Sequence, residues 1–134
     1  MTVTKYMLDT NMVSQIVRKN PKALERLIST PMEALCISSV TEGEVAYGLA
    51  KRPVSEKLAN AIEELFQRVE ILAWDSEVAQ VYGALKADLE KAGTSLAPLD
   101  TMIAAHAKST GSTLVTNDAA FRHVRQLEVV DWTK

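Results

Sequence analysis

Four times along this chain a short apolar run stops at a polar cluster, and a helical pattern begins at once. Residues 6–8 are bulky and end at Asp9-Thr10-Asn11, after which Val13, Ile16 and Val17 fall at helical spacing. Residues 34–37 run into Ser38-Ser39-Val40-Thr41 and then a helix carrying Val45, Ala46, Leu49 and Ala50. Residues 69–74 run into Asp75 and a long helix from 76 to about 91. Residues 113–116 run into Asn117-Asp118 and a short helix through Phe121 and Val124, before a last strand at 127–130. Further helices read at 11–18, from Pro21 through Ile28, at 55–68, and from Pro98 to a stop at Gly111. Apolar strands alternating with amphipathic helices imply a three-layer α/β/α sandwich around a central, mainly parallel sheet. All carboxyl ends of a parallel sheet lie on one edge, where ligands bind in such folds.

With 134 residues the chain makes one domain, 1–134, with a real core. No apolar run approaches the roughly 20 residues that span a bilayer, and no basic-then-apolar leader opens the chain. The one cysteine, Cys36, lies inside an apolar run and reads as a buried small hydrophobe. These features fit a cytoplasmic protein. A net charge of −2 gives no global pull toward a polyanion, so local basic residues or metal ions would have to hold one.

Acids recur where the strands end. Asp9 follows the first strand, Glu42 and Glu44 lie just past the second, Asp118 follows the fourth, and Asp100 opens the helix before it. Each has a plainer role available. Asp9 or Asn11 would cap the first helix, and Asp75, a fifth candidate, would cap the fifth. Ser39-Val40-Thr41-Glu42 and Thr41-Glu42-Gly43-Glu44 both match a capping box. Residues two apart point about 200° apart on a helix, so only one glutamate can face a given cleft. Spacing does not decide which.

Carboxylates gathered in one cleft repel one another, and a divalent cation removes that cost. Hard oxygen ligands suit Mg²⁺ or Mn²⁺, and such an ion makes a phosphodiesterase without a catalytic histidine. His106 and His123 show no metal-ligand spacing with Cys36, and His106 reads as a partly buried helix residue. There is no Gly-rich phosphate loop.

Four segments together resemble the PIN-domain ribonucleases, specifically the VapC toxins of type II toxin–antitoxin pairs. They are Tyr6-Met7-Leu8-Asp9-Thr10-Asn11, residues 37–48, Pro98-Leu99-Asp100-Thr101-Met102-Ile103-Ala104-Ala105-His106-Ala107, and Leu114-Val115-Thr116-Asn117-Asp118. Each is weak alone; their order and spacing agree over essentially the whole chain. The resemblance implies a parallel sheet bearing four acids, Asp9, Glu44, Asp100 and Asp118. It selects Glu44 over Glu42, because Glu44 precedes the apolar-Xaa-Tyr-Gly tail. Asp118 stands where such proteins vary most. By the same resemblance, Asp9 and Asp100 bind Mg²⁺ or Mn²⁺ directly, and Glu44 and Asp118 complete the shell. Thr10, Asn11, Thr116 and Asn117 steady carboxylates and waters. The implied substrate is structured RNA, often a tRNA anticodon stem-loop. The implied partner is a VapB-like antitoxin whose C-terminal segment covers the cleft, and homodimers are common. The apolar stripe of Leu58, Ile62 and Leu65 is a candidate seat for a partner helix. Three other readings compete: a 5′-nuclease acting on DNA flaps, a phosphatase with an aspartate nucleophile, and a non-catalytic α/β binding module whose acids are only caps.

Overall fold

A computed structural model describes residues 4–134. The expected absence of a leader rests partly on residues 1–3, outside the described ones. The strands are β1 (Tyr6–Leu8), β2 (Leu35–Ser38), β3 (Glu70–Leu72), β4 (Thr113–Val115) and β5 (Val129–Val130). The helices are α1 (Thr10–Val17), α2 (Pro21–Ser29), α3 (Ser39–Lys51), α4 (Glu56–Arg68), α5 (Ser76–Ala92) and α6 (Pro98–Thr110). Two short 3₁₀ turns, Met32–Ala34 and Ala119–His123, precede β2 and follow β4. The second of these stands where a short α-helix was expected.

The sheet is five-stranded and parallel throughout, in the order β3-β2-β1-β4-β5. The chain builds outward from β1 through β2 to β3, then crosses to the other side of β1 for β4 and β5. The reversal falls between β1 and β4, and in open α/β sheets that crevice is where ligands bind. Their register pairs Leu8 with Val115, so the next residues on each strand are Asp9 and Thr116.

Strand alternation makes two cores, one on each face. Met7, Cys36 and Leu114 face one side, with Val78, Leu85 and Leu89 of α5 and Ile103 of α6. Leu8, Leu35, Ile37 and Val115 face the other, with Met12 and Ile16 of α1, Leu27 of α2, Leu65 of α4 and Trp132. Helices thus cover both faces, giving the three layers expected. Truncating a wholly buried residue such as Leu8 to alanine costs about 2–5 kcal/mol. On α6 the small residues Ala104, Ala105 and Ala107 are fully buried and let the helix pack close. Helix α3 differs: only Thr41 is buried, and everything from Ala46 to Lys51 is exposed. No helix among the described residues is long and apolar enough to cross a membrane.

Candidate active site

Asp9 does both of the things its position allowed. It is the N-cap of α1, its Oδ1 accepting from the Met12 amide at 2.7 Å. It is also 2% exposed, at the carboxyl end of β1, within reach of other acids. Its backbone amide donates to the Val115 carbonyl at 3.1 Å, which ties it to the end of β4. Burial raises its carboxyl to about 6, and the charges of Asp100 and Asp118 push the same way. Hydrogen bonds from the Thr116 hydroxyl and the Met12 amide oppose that rise.

Asp100 lies in the first turn of α6, where the helix dipole favours a carboxylate. Its carboxyl is also raised, by burial first and then by Asp118 and Glu44. The four acids therefore form one electrostatic group: Asp9 feels Asp100 and Asp118, and Asp100 feels Asp118 and Glu44. Among the described residues no three acid, imidazole or thiol groups stand close enough to enclose an ion. The carboxylates feel one another's charge but, as like charges, are not drawn onto one point. Their donor set is all oxygen, and two members, Asp9 and Asp100, are desolvated and further destabilised by neighbouring carboxylates. That chemistry fits a hard divalent cation.

Thr10 and Thr116 each contact one of the acids. Thr10 Oγ1 donates to Glu44 Oε1 at 2.5 Å, linking α1 to α3. Thr116 lies against Asp9 and accepts from the Asp118 amide at 3.0 Å. Asp118 caps the following 3₁₀ turn through the Ala120 amide at 3.0 Å. Asn11 and Asn117 are exposed, and neither side chain makes a hydrogen bond among the described residues.

The glutamates sort out differently from a capping box. Ser38, the last residue of β2, caps α3 by accepting from the Val40 amide at 3.1 Å. Ser39 Oγ instead accepts from the Trp74 amide at 3.0 Å, and Thr41 Oγ1 is buried with no partner among the described residues. Neither expected capping box forms. Glu42 lies in the first turn of α3 without a side-chain bond among the described residues, whereas Glu44 faces Thr10 and the acids. Asp75 is a cap, accepting from Val78 at 3.1 Å.

One link had no signal in the sequence. His106 is buried on α6, its Nδ1 2.7 Å from Ser38 Oγ. Ser38 Oγ accepts from Val40 and keeps both a proton and a second lone pair, so it pairs with either tautomer of a neutral His106. Burial lowers the imidazole pKa, against a smaller upward pull from Asp75. This pair joins the helix carrying Asp100 to the cap of the helix carrying Glu44.

The chain matches the PIN domain family over residues 6–127. It is 35% identical over 130 residues to the tRNA(fMet)-specific endonuclease VapC of Shigella flexneri, covering 96% of this chain and 98% of that one. It is 35% identical over 129 residues to Ribonuclease VapC2 of Haemophilus influenzae, with the same coverage. Among solved structures, DNA-bound VapBC from Salmonella typhimurium superposes with a TM-score of 0.88 at 33% identity, covering 97% of this chain and 99% of that one. VapBC-1 from nontypeable Haemophilus influenzae gives 0.84 at 30% identity, covering 98% and 100%. The chain belongs to the PIN-domain family and, within it, to the VapC proteins.

Proposed function

We propose that this chain, acting as one PIN domain, is the toxin of a type II toxin–antitoxin pair and a divalent-metal-dependent endoribonuclease. What carries the reading is the group of acids at the switch point of the sheet, Asp9 and Asp100 raised by the charges of Asp118 and Glu44, in a chain matched over 96% of its length by VapC ribonucleases. The flap-nuclease, phosphatase and binding-module readings are not favoured.

Asp9 and Asp100 would hold Mg²⁺ or Mn²⁺, with Glu44 and Asp118 completing the shell. When bound, such an ion supplies positive charge beside a phosphate and makes water more acidic. The chain's own residues do the positioning. Thr10 fixes one Glu44 oxygen, and Thr116 steadies Asp9 while anchoring the Asp118 backbone. Asn11 and Asn117, exposed beside the acids, can hydrogen-bond waters or the substrate's ribose–phosphate chain. The reaction is hydrolysis of an RNA phosphodiester. Water forms a new P–O bond, and the bond to the leaving ribose oxygen breaks.

Two VapC relatives are named tRNA(fMet)-specific endonucleases, which makes a tRNA the expected substrate. The VapBC structures support a VapB-like antitoxin as partner; the expected assembly is a hetero-oligomer with that antitoxin, built on a homodimer of this chain. Leu58 and Ile62 of α4, both half-buried, line a groove that begins at Thr10 and suits an apolar partner segment. A cationic residue on that segment would pair with the acids. Such a toxin acts in the cytoplasm, where its RNA is.

The test is brief induction in cells, with and without the neighbouring reading frame, followed by sequencing of new RNA ends. Growth arrest with one dominant cleavage position, lost in Asp100→Asn and suppressed by the neighbour, is expected. Unimpaired growth and intact RNA despite soluble protein would overturn the reading. In vitro, cleavage should stop on chelation and return with Mg²⁺ or Mn²⁺.

A further inference from the structure

The groove beside the acids carries charge that an apolar partner does not explain. It has a volume of about 450 Å³ and runs between α1, α3 and α4. Arg18, Lys51 and Arg52 line it, and no acid does, in a protein whose net charge is −2. None of these three cations is in an ion pair among the described residues. Beside them stands Tyr47, 64% exposed. The chain has seven aromatic residues, and the other six are buried or half-buried. Tyr47 therefore contributes little to the core.

Its place on α3 is specific. Glu44, Tyr47 and Lys51 follow one another at three- and four-residue steps, and Gly48 is four from Glu44 and three from Lys51, which puts them on one helix face. Tyr47 is about 4.5 Å along the axis from Glu44, and Lys51 about 6 Å further. The Lys51 ammonium lies 5.7 Å from the Tyr47 ring centroid. Gly48 adds no side chain to this face, and beyond its own helix and chain neighbours nothing lies within 4 Å of where a Cβ would stand. A carboxylate, an exposed aromatic ring and an ammonium are thus laid in a row that starts at the acids. That is the pattern of a single-strand nucleic-acid track, in which rings stack on bases and cations meet phosphates.

Resting on the ribonuclease reading, we propose that Tyr47 stacks on an unpaired base beside the scissile phosphate, and that Lys51 and Arg52 hold the adjoining phosphates. The groove's floor is largely apolar, but its three charged residues are all cations and none is an acid, which favours this polyanion over a peptide that must itself bring a cation to the acids. It also makes neutralisation a competition, since an antitoxin segment in the groove would displace the RNA strand. The enzyme would accordingly prefer loops to duplexes, whose bases are already stacked on one another.

The test is steady-state cleavage of the tRNA that the parental chain cuts in total tRNA, with Mn²⁺ present. Tyr47→Ala, Tyr47→Phe and Lys51→Ala are compared across a salt series. Tyr47→Ala should raise KM at least about fivefold, as expected for loss of one stacked base, while Tyr47→Phe stays within about twofold of the parent. Lys51→Ala should flatten the dependence of log KM on log salt by about 0.7, one phosphate contact on a single strand. A parental KM in Tyr47→Ala overturns the proposal. If that variant also escapes its antitoxin, the residue is a partner anchor instead. A parental chain that cleaves no RNA overturns the ribonuclease reading itself, and this proposal with it.

Discussion

Replacing Asp9 by asparagine should stabilise the metal-free protein. The carboxyl of Asp9 rises from 3.8 to about 6 on folding. That is about 2 units at 1.36 kcal/mol each, or roughly 3 kcal/mol of destabilisation when Asp9 is ionised. The sign follows from proton linkage. Between the two values the native state binds more protons than the unfolded chain, so stability falls as pH rises. The cost is absent below about 4, grows through the window to about 6, and is complete above it. Asparagine carries no charge to desolvate, and its carbonyl caps a helix as well as aspartate does. It can accept from Met12 as Oδ1 does now. The variant should gain about 2–3 kcal/mol at pH 8, roughly 7–11 °C in Tm at this size, and almost nothing at pH 4. Urea or thermal melts with a chelator at the two pH values read this directly. A variant no more stable than the parent at pH 8, or equally stabilised at both, would refute the burial argument. Adding Mn²⁺ should reverse the ranking, because the parent gains more from a ligand its site binds better.

Glu44→Gln should abolish RNA cleavage, whereas Glu42→Gln should keep most of it and lose at most about 0.5–1 kcal/mol of stability, the scale of one helix-dipole interaction. The opposite pattern in a cleavage assay would mean that Thr10 does not mark the functional glutamate. Ser38→Ala should cost about 2–3 kcal/mol in a urea melt, since it removes the α3 cap and strands the buried His106 ring nitrogen. A loss under about 0.5 kcal/mol would show that this pair does not join α3 to α6. Gly111 ends α6 at φ 68° with open space around it, so Gly111→Ala should lower stability by about 1 kcal/mol through backbone strain alone.

The alternation of strand and helix was legible because Met7 and Leu8, or Ile37 and Cys36, must satisfy opposite faces of one sheet. Element ends were less so. Residue 38 was placed after the second strand, which made Ser39 and Thr41 the natural caps. In the fold Ser38 ends β2 and caps α3, because Ser39 is taken by Trp74, 35 residues away. No local pattern carries that competition. His106 and Ser38, 68 residues apart, are invisible for the same reason. Tyr47 read as part of a family tail rather than as an exposed ring, since α3 begins like a buried helix and only its second half leaves the body.

The acids stand out in the sequence by chemistry and order, but their coupling depends on strand order, which the sequence does not supply. Had β4 joined the outer edge beyond β3, Thr116 and Asp118 would lie two strands further from Asp9. Because β4 instead pairs with β1, the register that matches Leu8 to Val115 sets Thr116 beside Asp9 and brings the Asp118 charge to bear on it. The same closure buries Asp9 and raises its pKa. The site is therefore built at a cost to the metal-free fold. The stability that Asp9→Asn gains without metal measures the cost that the parental carboxylate lets a bound cation relieve.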